Sequence, residues 1–292
     1  MKNIFWLIIL HFLAATHMTT YAQITQITDL HPLESSIKNL DTDTLVIFDV
    51  DHVLIMPTDE YSLNRNPYRR QLWQDLKLRS SEEDFKFLRS IAVSSAKWRL
   101  VDPNIITILS DLNNKNIPTV ALTSLATGKF GIVEKMEDLR IKELQSVEID
   151  FTNLTPFQGE LSINELKNIH GIPMLKAGII LTAEVDKAKV LEYILRQKNY
   201  YPKKIVFIDD QLNNLESLEK LCAKLKIKFE GFHYTAVSLM TTSVVDEQLE
   251  KLRFEILEKE HRWLSYKELT SRMNIPDSIS YHTKNQEINV NR

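Results

Sequence analysis

With a single cysteine, Cys222, among its 292 residues, this chain has no intramolecular disulfide to hold it together. It also lacks a basic stripe. The net charge is −3 and the isoelectric point is near 6.3, which argues against a protein held to nucleic acid by bulk electrostatics. No internal repeat and no dominant low-complexity stretch is present. The apolar run at positions 4–15 is about 12 residues long, short of the roughly 20 that a membrane-spanning helix needs.

What is present is the composition of a soluble globular protein, 43% hydrophobic and 26% charged, in a chain long enough for one large domain or a core with a smaller insertion. The N-terminus differs from the rest. Lys2, the apolar run and the small-x-small pattern of Thr20, Tyr21 and Ala22 read as a signal peptide cleaved after Ala22, with an uncleaved anchor or a buried helix as the alternatives. The mature chain would begin at Gln23 and work outside the cytoplasm, periplasmic or secreted. It would have no stable membrane span.

Three apolar, β-branched runs predict strands buried on both faces: 44–50, 117–123 and 204–208. Each ends in polar residues, which are Asp49 and Asp51, then Thr123 and Ser124, then Asp209 and Asp210. Helical spacing lies between them, as in 186–197, where Val190, Leu191 and Ile194 share a face. Alternating strands and helices predict an α/β fold with a parallel sheet covered on both faces, and ligands in such sheets bind beyond the carboxyl ends of the strands. The three polar clusters are therefore candidates for one pocket.

Residues 56–116 exceed what one crossover requires, and their apolar spacing at 66–78 and 82–98 predicts a mainly helical cap inserted after the first core strand. The core would then comprise 23–55 and 117–265. Trp73, Trp98, Phe85 and Tyr68 are expected to pack that cap. Residues 147–183, with Pro156, Gly159, Gly171 and Pro173, predict hairpins and loops at the sheet edge. A helix at 214–225, a strand at 227–233 and a helix from 246 to about 263 follow. In the last, alternating acids and bases read as a solvated surface face. The polar tail after Asn274, spanning 275–292, has little periodicity.

The chemistry is carried by the acids. Asp49 and Asp51 flank a single spacer at a strand end, so both carboxylates can reach one reaction centre. A carboxylate nucleophile suits phosphoryl transfer because it forms an acyl phosphate and splits one hard substitution into two. Asp49 is that nucleophile. Asp51 is the general acid that protonates the leaving alkoxide and the base that then activates water. Two anions facing a phosphate need a compensating cation, and Mg2+ bound by carboxylates, phosphate oxygen and waters answers.

Asp209 and Asp210 supply further ligands, steadied by Asn214, although such a pair can also simply cap a helix. Thr123, or Ser124 if the register shifts by one, can donate to a phosphoryl oxygen, and taken alone it also reads as a cap. Lys187 can neutralise the transferring phosphoryl group. A surface lysine is the bland alternative, and Lys189 and Lys176 compete for the role. His52 is assigned none.

In order, DVDHVL, VALTS, the lysine of DKAKVL and VFIDDQLNN resemble the four motifs of the haloacid dehalogenase-like (HAD) superfamily, over 45–234. The likeness is greatest to an exported bacterial branch with a long first insertion. The resemblance implies a Rossmann-like core and an aspartyl phosphate on Asp49. It also implies magnesium held by Asp49, the backbone carbonyl of Asp51, and the Asp209/Asp210 pair, with Asp210 as the more regular ligand. Superfamily dehalogenases and ion-pumping ATPases lack the acid at the position of Asp51, so phosphatase or phosphomutase chemistry on a small phosphorylated substrate is implied. The alternatives are a phosphotransferase and a non-catalytic exported interaction or effector protein on the same scaffold. The sequence leaves the substrate and the oligomeric state open.

Overall fold

The computed structural model describes residues 23–59, 67–240 and 245–273. The signal-peptide reading of 1–22 and the tail after Asn274 lie outside the described residues. No helix among those described is long and apolar enough to cross a membrane.

The chain opens with β1 (Gln23–Ile27) and α1 (His31–Ile37), then enters β2 (Thr44–Phe48). A tight turn leads to β3 (Ile55–Pro57), the helices α2 (Pro67–Arg79) and α3 (Glu82–Ser94), and β4 (Trp98–Leu100), which pairs antiparallel with β3. After α4 (Asn104–Asn114) come β5 (Thr119–Thr123) and α5 (Met136–Gln145). The edge strands β6 (Leu161–Ser162) and β7 (Met174–Lys176) precede β8 (Ile179–Leu181) and α6 (Lys187–Gln197). The chain closes with β9 (Lys204–Asp209), α7 (Leu212–Leu225), β10 (Lys228–Tyr234), the short α8 (Ala236–Leu239), α9 (Glu247–Glu260) and α10 (Tyr266–Arg272).

Eight strands form one sheet in the order β1-β10-β9-β2-β5-β8-β7-β6. Its first six strands run parallel, and β7 and β6 are antiparallel at one edge. The fold is thus the expected Rossmann-like α/β sheet. Strand β2 is fully buried, and its side chains alternate between two cores as a period of two requires. Leu45 and Ile47 pack with Val190, Leu191 and Leu218 from α6 and α7. Val46 and Phe48 pack on the other side with Leu33, Ile105 and Leu112 from α1 and α4. From β2 the chain moves to β5 and β8 on one side, then returns to β9 and β10 on the other. That reversal opens a crevice at the carboxyl end of β2.

Two sequence expectations are revised here. First, α4 lies inside the predicted insertion, yet its apolar stripe packs against the sheet, so the helical insertion narrows to the segment between β3 and β4. The 82–98 helix likewise ends at Ser94, and Trp98 sits in β4 against the sheet core rather than in a helical one.

Second, α9 is not a solvated helix. Glu250 and Arg253 are fully buried, and Phe254 and Leu257 pack with Leu76, Leu88, Trp73 and Phe85 of α2 and α3. Alternating charge here serves internal pairing. Arg69 of α2 donates twice to Glu250 at 2.9 Å, and Arg253 reaches Asp59 at 2.8 Å. Trp73 stacks on Trp263 with ring centroids 5.5 Å apart. The C-terminal helices therefore complete the helical unit that α2 and α3 begin.

Candidate active site

Each acid is placed by a strand end. The Asp49 amide donates to the Ile208 carbonyl at 2.9 Å, which carries the β2–β9 pairing one residue past β2. Immediately afterwards the chain coils. Leu54 and Ile55 both donate to the Val50 carbonyl at 3.0 Å, and His52 takes a left-handed φ of 66°, its amide donating to the Ile55 carbonyl at 2.8 Å. A non-glycine residue held there is strained. The coil turns Asp51 toward the crevice and launches β3, so the root of the helical insertion begins four residues from Asp51.

At the centre is Lys187, the first residue of α6, whose N-cap Asp186 accepts from the Lys189 amide at 2.9 Å. Its ammonium lies 2.7 Å from Asp49 Oδ1 and 2.7 Å from Asp209 Oδ2. Of the three competing lysines only this one reaches the acids. Lys189 is exposed, and Lys176 pairs with Asp138 and Glu160. Asn214 donates to both oxygens of Asp209, at 3.0 and 3.1 Å, and the Gln211 amide donates to Oδ1 at 2.7 Å. Asp210 turns the other way, accepting from Gln211 Nε2 at 2.8 Å, with His52 Nδ1 at 3.4 Å from the same oxygen.

Asp49, Asp209 and Asp210 each offer a carboxylate oxygen within 4.8 Å of the others. Burial raises the Asp49 carboxyl well above its ordinary range, and Lys187 opposes the rise while Asp209 adds to it. Asp209 is raised for the same first reason. Conversely, the ammonium of Lys187 is raised by the two carboxylates that face it, against the cost of its burial. Two of the three acids share one ammonium, and Asp210 meets Gln211 and His52 instead. Hard oxygen donors at this spacing, with uncompensated negative charge, fit a magnesium-type cation.

Thr123 ends β5 with its hydroxyl 3.5 Å from Asp51 Oδ2, and it accepts from the Leu125 amide at 3.4 Å. The neighbouring Ser124 is half-buried, and its carbonyl accepts from the Glu184 amide. The named site residues thus converge at the carboxyl ends of β2, β5 and β9 and the start of α6.

A family model described as "Protein of unknown function (DUF2608)" matches residues 26–270. The chain belongs to this family. An uncharacterised relative from Rickettsia bellii is 28% identical over 210 residues, covering 69% of this chain and 72% of its own length. A Chlamydia pneumoniae relative that carries a provisional outer-membrane name is 27% identical over 233 residues, 73% of this chain and 78% of its own. A solved haloacid dehalogenase-like hydrolase from Streptococcus pneumoniae covers 64% of this chain and 93% of its own at 13% identity, with a TM-score of 0.34. That likeness is too slight to argue from, and the reading of this family member rests on its motifs and site geometry.

Sequence reasoning missed Arg140 and Glu143 on α5. The Arg140 guanidinium faces Asp51, with Nη2 donating to Oδ2 at 3.1 Å and Nη1 3.0 Å from Oδ1. Glu143 sits 3.4 Å from Arg140 Nε. Nothing in MEDLRIKELQ separates these side chains from surface residues, because the partner of Arg140 lies 89 residues away in sequence and an Arg–Glu pair three apart is common on an exposed helix face.

Proposed function

We propose that the protein is a magnesium-dependent phosphohydrolase of the HAD type, acting on small phosphate monoesters through an aspartyl phosphate on Asp49. The observation that carries this reading is the Lys187 ammonium, 2.7 Å from both Asp49 and Asp209, inside a cluster that also holds Asp210. Such an arrangement is costly unless it is used, since buried like charges are penalised.

Asp49 Oδ1 is engaged by Lys187 and by the Val50 amide at 2.7 Å, so Oδ2 is the oxygen available to attack phosphorus. As the P–O bond to the alcohol breaks, Asp51 gives its proton to the departing oxygen. It then takes a proton from the water that cleaves the acyl phosphate, releasing inorganic phosphate and restoring Asp49. Thr123 and the amides after it receive a phosphoryl oxygen, and Lys187 offsets the charge that gathers on the group in transfer. Mg2+, held by Asp49, the Asp51 carbonyl, Asp209 and Asp210, would supply the missing positive charge and polarise the phosphoryl oxygen. The helical unit of α2, α3, α9 and α10 serves as the cap that selects the substrate. Export with cleavage after Ala22 goes with this reading, supported by the N-terminal pattern and by the provisional name of the Chlamydia relative.

The test is hydrolysis of p-nitrophenyl phosphate by the chain from Gln23 onward. Turnover should require Mg2+, stop with EDTA, and fall at least about a thousand-fold in Asp49→Asn. Retention of most activity in that variant rejects Asp49 as the nucleophile.

A further inference from the structure

Arg140 belongs to none of the strand ends that build the site, yet it holds one of the site's two working carboxylates. Its side chain is 4% exposed, whereas that of Asp51 is 40% exposed at the mouth of the crevice. The guanidinium donates one hydrogen bond, from Nη2 to Asp51 Oδ2 at 3.1 Å, and its Nη1 lies 3.0 Å from Oδ1 as an ion-pair contact. Two other groups lie against it. Glu143 lies one turn along α5, 3.4 Å from Nε, and the Trp98 ring of β4 lies with its centroid 5.1 Å from the guanidinium carbon. Trp98 belongs to the β3–β4 hairpin from which the helical insertion grows, so the grip on Asp51 is anchored between α5 and the root of the cap.

A planar guanidinium that donates to one carboxylate oxygen and lies against the other restrains its orientation in a way that a point charge does not. A partly exposed aspartate left alone would sample several rotamers. Proton transfer to a leaving oxygen needs the donor aimed within hydrogen-bond reach. Resting on the phosphohydrolase reading above, we infer that Arg140 is a positioning residue. It sets the Asp51 carboxylate in line with the leaving-group oxygen, and it thereby governs which phosphate esters the enzyme can cleave. Esters of alkyl alcohols, whose alkoxides leave only when protonated, depend on it. Esters of acidic phenols, which leave as anions, do not.

That dependence separates positioning from a merely structural role for Arg140 as a pin between α5 and the core. The experiment measures kcat/KM for ethyl phosphate and for p-nitrophenyl phosphate, with wild type, Asp51→Asn, Arg140→Ala and Arg140→Lys in the same magnesium buffer. Arg140→Ala is expected to lose roughly 100-fold on the alkyl ester and far less on the nitrophenyl ester, the same skew that Asp51→Asn shows. Arg140→Lys, which keeps the charge without the planar guanidinium, should fall between Arg140→Ala and wild type in that ratio.

An equal loss on both esters, or no loss on either, overturns the positioning role and leaves the phosphohydrolase reading standing. Should Arg140→Ala fail to unfold cooperatively on heating, the ratio in Arg140→Lys decides by the same criterion. A wild type that turns over neither ester, or an Asp51→Asn variant with no skew, overturns the underlying reading and the role of Arg140 with it.

Discussion

Among the described residues, an ionic cluster in the helical unit and another at the strand ends differ in a way that bears on function. Within the helical unit, Arg69 and Arg253 pair with Glu250 and Asp59, with the Trp73, Phe254 and Trp263 rings packed beside them. At the strand ends, Asp49 and Asp209 face Lys187, Asp51 faces Arg140, and Asp210 lies beside the first pair, with Asp51 partly open to solvent. Both clusters are held at similar distances. Charge burial alone therefore does not mark a site. The phosphohydrolase reading turns instead on the acids gathered at the strand ends, which a bound cation would complete.

Three measurements sharpen or break that contrast. The largest effect is expected in the closed cluster. Glu250→Ala removes the carboxylate between two buried arginines and should cost about 3–5 kcal/mol of folding stability, read by urea unfolding. Turnover of the folded fraction should stay at the wild-type level. A stable Glu250→Ala variant, or one folded but inactive, would erase the distinction between the clusters.

A smaller effect should appear beside the site. Burial pushes the Glu143 carboxyl from its ordinary 4.5 up to about 7, against the pull of Arg140. A raised carboxyl favours folding while protonated, so its contribution is complete below about pH 4.5 and is lost as pH climbs through about 7. The loss amounts to roughly 3 kcal/mol. Glu143→Gln lacks this dependence. Its Tm relative to wild type should climb steadily between pH 5 and pH 8, and a difference independent of pH would mean that Glu143 is charged throughout.

The smallest effect is at Asp49. Without added metal, Asp49→Asn relieves a buried carboxylate held near Asp209 and should gain about 1 kcal/mol, a rise of about 2–4 °C in Tm. Stability lost in one cluster and gained in the other is the expected contrast. A clear drop in Tm for Asp49→Asn would place the site among ordinary structural ion pairs.

Much of this was legible in the residues because the informative segments are buried on both sides. A strand such as TLVIF admits little else than a central position, and polar residues at its end must then face a crevice. By contrast, β1 was missed because QITQI lies at the sheet edge with only Ile27 buried, and α1 is a seven-residue helix with two buried positions. The assignment of α4 to the insertion failed for another reason. Periodicity reveals an apolar face but not which surface that face covers. The surface reading of α9 failed because Glu250 and Arg253 find their partners in α2 and at Asp59, far back in the sequence. Arg140 shares that difficulty. A buried charge whose partner is distant looks, in sequence, like any solvated one.

The central assignment is Asp49 as the atom donor to phosphorus, and trapping the covalent intermediate tests it most directly. The chain is mixed with a radiolabelled phosphate monoester and Mg2+ and quenched in acid, after which one portion is treated with hydroxylamine and another is reduced with borohydride and mapped by peptide mass spectrometry. Label released by hydroxylamine, with the reduced residue at position 49 and none in Asp49→Asn, is the expected result. Turnover with no label on the chain, or with label on another residue, would contradict it.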